Sequence, residues 1–250
     1  MKKDTFEATI KGETLMTAIL AASALVSECR VTLGKDGLQI LAVDKGNVSL
    51  VEVQVASGAF TSYRGDKGTI GLDLENLKKA LGLMGKDDEV AMVAAGGSLK
   101  LTFGEVKYAT RLLDPETVRK DPTAPSISPP TQFTVPGRDL AATLKTLGAF
   151  ADITRLVADP AKGTCYAEGI GNLDQVRLNL APTKISGKAA SCWYSLDYLK
   201  DMAQTLGKAT EVDVALGERT PIMFTCEIAG CRIRYILAPR IEDIEPEAIL

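Results

Sequence analysis

Apolar and polar positions alternate along most of this chain, and at intervals the period lengthens from two to about 3.6. Alternation over residues 5–11 predicts a strand. From Gly12 the pattern changes: Leu15, Ile19, Ala22 and Val26 recur at i, i+4, i+7 and i+11, the stripe of one buried helix face, and predict a helix to about Ser27. Short runs at 28–33, 37–43 and 48–55 then predict strands, the first two joined by a turn at Lys35-Asp36-Gly37. A second helix is expected over 74–83 with Asp73 as its N-cap, followed by strands at 89–94, 98–103 and 105–112. Helices near 139–151 and at 196–206 repeat this order. Thr17, Ser23, Thr143 and Thr146 fall opposite the apolar stripes and are expected on exposed faces. Strand-rich halves with two helices each predict an α+β fold of antiparallel sheets, with the helices segregated to one face.

The two halves are copies. Residues 9–30 realign without a gap on 134–155, with Thr9/Thr134, Gly12/Gly137, Leu15/Leu140, Ala24/Ala149 and Arg30/Arg155 identical. Residues 74–93 realign on 196–215, with Leu74/Leu196, Leu77/Leu199, Lys78/Lys200, Gly85/Gly207, Lys86/Lys208, Glu89/Glu211 and Val90/Val212 identical. Two blocks in the same order, at offsets of 125 and 122 residues, predict two copies of one domain. Between them, the stretch 114–130 carries Pro115, Pro122, Pro125, Pro129 and Pro130, a density that neither a helix nor a central strand accepts. The expected organisation is therefore a domain over 1–113, an extended linker over 114–130 and a second domain over 131–250.

Composition removes several functions. The chain has no histidine, which takes away the commonest general base and the commonest metal ligand. Its five cysteines are scattered through apolar stretches and read as small buried hydrophobes rather than a disulfide framework. Cys226 and Cys231 are the only close pair, and without a histidine no metal site is expected. No membrane-length apolar run or leader is visible, so a cytoplasmic protein without membrane contact is expected. No GxxxxGK(S/T), GxGxxG, GxSxG or HExxH motif occurs, and no cofactor is expected. Asp44-Lys45-Gly46-Asn47 has the composition of a hairpin loop. A net charge of −3 does not exclude nucleic acid, because phosphate responds to the local field. Lys78, Lys79, Lys145 and Lys200 fall on the predicted helices and Lys86 and Lys208 just beyond them, where they could form one positive surface.

Four segments carry a family resemblance. Tyr235-Ile236-Leu237-Ala238-Pro239-Arg240-Ile241-Glu242 resembles the C-terminal signature of the PCNA sliding clamps in their archaeal form. Asp44-Lys45-Gly46-Asn47-Val48-Ser49-Leu50-Val51, FTSYRGD at 60–66 and Ser195-Leu196-Asp197-Tyr198-Leu199-Lys200 resemble further clamp segments, in the right order. The resemblance implies a DNA clamp fold, with sheets outside and two helices per domain on the inner face. It implies a closed homotrimer that encircles double-stranded DNA without reading bases and has no catalysis of its own. It also implies tethering of DNA polymerase, DNA ligase and flap endonuclease, and a clamp loader that opens the ring.

Carried onto this sequence, Lys79 and Lys145 align with DNA-facing basic positions, while Lys78, Lys86, Lys200 and Lys208 rest on helix placement. The first helix departs from the family, having no lysine between Gly12 and Ser27, so weak, salt-sensitive DNA binding is expected. The resemblance puts a partner-peptide pocket at Val43, Asn47, Val48 and Leu50, the connector near Ala124 to Ile127, Pro221, and Ile236, Ala238, Pro239 and Arg240. Ile236 is a second departure, because the family often has an aromatic residue there. Subunit contacts are expected between residues 105–111 of one chain and 174–180 of the next. Two alternatives stay open: one subunit of a heterotrimeric clamp, and a carboxylate- or lysine-based enzyme on a duplicated scaffold.

Overall fold

The computed structural model describes residues 6–64, 68–85, 87–123, 125–171 and 174–241. The first repeat runs β1 (Phe6–Lys11), α1 (Gly12–Ser23), β2 (Glu28–Gly34), β3 (Gly37–Val43), β4 (Ser49–Ala56), β5 (Phe60–Arg64), β6 (Gly68–Asp73), α2 (Leu74–Leu81), β7 (Glu89–Ala95), β8 (Ser98–Phe103) and β9 (Val106–Arg111). The second runs β10 (Thr131–Pro136), α3 (Gly137–Leu147), β11 (Ile153–Asp159), β12 (Thr164–Ile170), β13 (Gln175–Asn179), β14 (Lys184–Gly187), β15 (Ala190–Ser195), α4 (Leu196–Leu206), β16 (Glu211–Leu216), β17 (Ile222–Ile228) and β18 (Cys231–Leu237).

The sheets repeat as faithfully as the element order. In the first copy the strands are ordered β5-β1-β7-β8-β9 and β6-β2-β3-β4; in the second they are ordered β14-β10-β16-β17-β18 and β15-β11-β12-β13. Position for position the orders correspond, and the pairings are antiparallel. Two compact units result, Met1–Thr123 with Glu227–Ile233, and Ala124–Cys226 with Arg234–Leu250. Within each, the two helices pack side by side, α1 on α2 and α3 on α4.

Alternation drives this assembly. β2, β3 and β8 bury every second side chain, placing Val31, Leu33, Ile40, Leu99 and Leu101 under Leu15, Ile19, Leu77 and Leu81 of the helices. Burying one such side chain contributes about 1.5–3 kcal/mol. The glycines shared by the two repeats at the starts of α1 and α3 have a steric cause. Gly12 donates its N–H to Asp88 O at 2.8 Å, and a Cβ there would lie 2.9 Å from that oxygen. At Gly137 a Cβ would lie 2.2 Å from Leu206 O and 2.5 Å from Ala209 O. Each helix starts against the loop that follows its companion, too close for any side chain.

Several local expectations change. β5 and β6 are not visible as alternation: β5 is a largely exposed edge strand, and β6 carries Gly68 and Gly71, the latter pressed on Leu113 O. α1 stops at Ser23, whose hydroxyl donates to Ile19 O at 2.8 Å. α2 stops at Leu81 with Gly82 as C-cap, and Asp73 does cap it, accepting from Asn76 N at 3.0 Å. α3 occupies Gly137–Leu147 and ends ahead of Gly148. Thr5 of the first predicted strand, and Gly65, Asp66 and Glu242 of the family-like segments, lie outside the described residues.

Thr17 and Thr143 are buried, not exposed. Thr17 is on a helix covered on more than one side: the returning segment Glu227–Ile233 belongs to the same compact unit, and Cys231 Sγ donates to Thr14 O at 3.3 Å. Thr143 flanks Leu140, Leu144 and Leu147 on the buried arc of α3. Ser23 is half-buried, and Thr146 is exposed.

Candidate nucleic-acid interface and partner pocket

The basic residues on the helices occupy unequal environments. Lys79 on α2 and Lys145 in the last turn of α3 are both exposed, and no ion pair is found for either among the described residues. Lys78 is held by Glu75 at 3.0 Å, one turn back. Lys208 is exposed just beyond α4, and Lys86 lies outside the described residues. Lys200 is bound to Asp197 at 2.8 Å, and that hydrogen bond raises its pKa above the usual lysine value, with Asp152 and Asp201 adding to the effect. Burial raises the carboxyl of Asp201, and Asp197 raises it further. Lys200 is therefore largely offset by its acidic neighbours, whereas Lys79 and Lys145 are exposed cations without an ion pair among the described residues.

Sequence reasoning missed one cation. Arg138 is exposed in the first turn of α3, seven residues before Lys145 and so on the same helical face, 3.9 Å from Asp139. The repeat offset maps Arg138 onto Glu13 and Lys145 onto Leu20. At equivalent positions α3 carries two cations, while α1 carries an acid and a half-buried leucine. The alignment of the copies already holds that signal.

The expected pocket residues fall into two groups, one in each compact unit. In the first, Val43 and Leu50 face each other as register partners of β3 and β4 and bracket the loop at 44–49. Asp44, only 5% exposed, builds this loop with its side chain. Its Oδ1 accepts from Val48 N at 2.8 Å and Ser49 N at 2.7 Å, and its Oδ2 accepts from Gly46 N at 2.9 Å. These bonds hold Asn47 at φ 58°, a left-handed conformation that asparagine tolerates. Asn47 is exposed, Val48 half-buried and Leu50 buried.

The start of the connector is strapped to the same unit. Leu113 bridges Gly71, Val118 is buried, and Asp121 lies 3.9 Å from Arg30. Burial raises the Asp121 carboxyl above its ordinary value, and Arg30 opposes that shift. Arg119 donates from Nη1 to Asp44 O at 2.7 Å and from Nη2 to Asn47 Oδ1.

In the second unit Ile127, Pro221, Ala238 and Pro239 are half-buried, Ile236 is buried, and Arg240 is exposed; Ala124 lies outside the described residues. Arg240 donates its backbone N–H to Trp193 O at 2.9 Å, which fixes the end of the C-terminal strand. All five cysteines are buried thiols, and burial lifts the pKa of Cys29 and of Cys165 to about 12. No helix among the described residues is long and apolar enough to cross a membrane.

Known proteins are similar along nearly the whole chain. Residues 5–111 match the family described as Proliferating cell nuclear antigen, N-terminal domain. The DNA polymerase sliding clamps of Methanosphaerula palustris and Methanoculleus marisnigri are each 37% identical over 243 residues, covering 94% of this chain and 98% of theirs. The structure of A. fulgidus PCNA with the C-terminal region of FEN-1 bound is 28% identical, with a TM-score of 0.89, and the match covers 96% of this chain and 100% of that one. With its duplicated α+β architecture and its near full-length likeness to archaeal clamps, the chain belongs to the DNA polymerase sliding clamp family, the PCNA clamps.

Proposed function

We propose that three copies of this chain close into a ring that encircles duplex DNA and tethers replication and repair enzymes to it. The observation that carries this reading, beyond family membership, is a pair of sheet edges, one in each repeat. β9 ends the five-stranded sheet of the first repeat, and β13 ends the four-stranded sheet of the second. The repeat equates β9 with β18 and β13 with β4. An edge pairing of β9 with the β13 of another copy would fill both edges between chains. Burial supports it: Cys231, Ile233 and Tyr235 are fully buried, whereas Val106, Tyr108 and Thr110 at the matching positions of β9 are half-exposed. Such a head-to-tail contact closes into a ring when the rotation per subunit fits.

In this ring the domains are 1–113 and 131–250, joined by the connector 114–130. Lys79 and Lys145 face the DNA, with Arg138 beside them and Lys78, Lys86, Lys200 and Lys208 contributing less. Retention is topological, so contacts to phosphate need only be weak and exchangeable. Val43, Asn47, Val48, Leu50, Ile127, Pro221, Ile236, Ala238, Pro239 and Arg240 form the seat for an aromatic-containing peptide carried by DNA polymerase, DNA ligase, flap endonuclease and the clamp loader. The chain acts in the cytoplasm on DNA and performs no catalysis itself.

Two measurements test this. Native mass spectrometry should give the mass of three chains, and a monomer at micromolar concentration would count against self-closure. After loading, the protein should stay on circular DNA and be lost on linearisation; equal retention on both forms overturns topological binding.

A further inference from the structure

Resting on the peptide-pocket reading, we infer that Arg119 is a latch that holds the 44–49 loop, one wall of that pocket, against the start of the connector. The loop does not need Arg119 to form. Asp44 alone satisfies the amides of Gly46, Val48 and Ser49, and Asn47 N donates to Asp44 O at 3.1 Å. What Arg119 adds is a tie across 72 and 75 residues of sequence, from the connector to two oxygens of the loop. One guanidinium donates through Nη1 to a backbone carbonyl and through Nη2 to an amide oxygen. That fork fixes direction as well as distance, which a lysine ammonium does not.

The position of Arg119 in the connector strengthens the argument. Val118, immediately before it, is 4% exposed and anchors the chain. Asp114 organises the stretch before that, accepting from Glu116 N at 2.9 Å and, through its carbonyl, from Thr117 N at 2.9 Å. Residues 114–121 are therefore a fixed strap, with Arg119 at the point where it meets the loop. Asn47 is the exposed member of the loop, held in a left-handed conformation. Its side chain is committed to the connector rather than to solvent. A peptide seated against the loop meets it already held, and the cost of ordering it has been met within the free protein. Arg119 is thus a positioning residue: it shapes the site without having to touch the ligand.

The test compares the full-length wild type with Arg119→Ala, Arg119→Lys and the neighbouring control Lys120→Ala. Fluorescence anisotropy with a peptide from the FEN-1 C-terminal region reads binding, and hydrogen exchange reads residues 44–49 and 114–121. Arg119→Ala should weaken peptide binding about tenfold, at the low end of what losing a hydrogen bond to a charged group produces. It should also speed exchange in both segments, with native mass and thermal midpoint essentially unchanged. Arg119→Lys should fall between, because one ammonium cannot reproduce the fork, and Lys120→Ala should match wild type. Unchanged exchange in Arg119→Ala overturns the latch, as does wild-type peptide affinity in that variant. If the wild type itself does not bind the peptide, the pocket reading fails, and the exchange data alone decide whether the two segments are coupled.

Discussion

Asp44 offers a sharp separation between a charged and a neutral side chain of the same shape. Replacing it with alanine removes three acceptor contacts at 2.7–2.9 Å from a group that is 5% exposed. The three donors lose unequally. Ser49 is 1% exposed, so its amide meets the full penalty of a buried unpaired donor, about 1–3 kcal/mol. Gly46 is exposed and Val48 half-buried, so water can reach their amides and each costs about 0.5–1 kcal/mol. Asp44→Ala should therefore lose roughly 2–5 kcal/mol. Asparagine behaves differently, because Val48 and Ser49 both bond Oδ1 while only Gly46 bonds Oδ2. With its carbonyl at the Oδ1 position, the asparagine side chain keeps two contacts and turns an N–H toward the exposed Gly46 amide. Asp44→Asn should lose about 1 kcal/mol. Urea unfolding at one fixed protein concentration measures both, since a self-associating chain changes apparent stability with concentration. In a heating scan the alanine variant should fall by roughly 4–20 °C for a chain of this size. Equal losses for the two variants would refute the division between Oδ1 and Oδ2. An alanine variant losing less than about 0.5 kcal/mol, the least that a single hydrogen bond contributes, would refute the loop's dependence on this carboxylate.

Four further outcomes rest on the same geometry. Lys145→Ala and Lys79→Ala should each lower the salt slope of DNA binding by about 0.9 for every phosphate no longer neutralised, while Lys200→Ala, already paired with Asp197, should change it little; an equal effect at all three sites would contradict the ranking. Gly137→Ala should destabilise more than Gly12→Ala, because its Cβ meets backbone oxygens at 2.2 and 2.5 Å, whereas at Gly12 one of the two closest atoms is the flexible Met84 Sδ; chemical unfolding of the pair decides. Ala109→Pro in the exposed edge β9 should shift the native mass from trimer to monomer while circular dichroism stays unchanged, and an intact trimer would exclude β9 as the contact. Cys29 and Cys165 have folded pKa values raised from 9.0 to about 12, so their contribution to stability is complete below pH 9 and is lost as pH rises toward 12. Unfolding free energy should fall over that window, and should fall less in Cys29→Ala measured relative to its own value at pH 7.

How much of this is legible in the sequence depends on how local the determinant is. The α4 span and the Asp73 cap depend on neighbours within a turn or two and are visible as period and composition, and the repeat is visible as self-similarity of the sequence. β5 and β6 escape because an exposed edge strand and a glycine-bearing strand take their order from β1 and β2, not from their own alternation. Thr17 is buried where its spacing suggests exposure, because α1 packs against both α2 and β4, which its own periodicity does not reveal. The candidate site divides the same way. Lysines on helices can be read directly, but the approach of Asp152 to Lys200 and the grip of Arg119 on residues 44 and 47 are tertiary facts. A proline-rich connector has the composition of a spacer, and nothing in that composition signals that its first half is fastened down.

The mismatch between α1 and α3 has a dynamic meaning. Glu13 and Leu20 stand where the other copy has Arg138 and Lys145, so three chains in a ring would present α1 and α3 as unequal neighbours of the duplex, one acidic and one basic. Six similar domains would then generate a threefold electrostatic potential. A duplex turning inside it meets three favourable orientations per revolution rather than six. Passing from one to the next would cross a barrier set by the contrast between the two helices, so such a ring would resist free spinning at low salt and release it as screening grows.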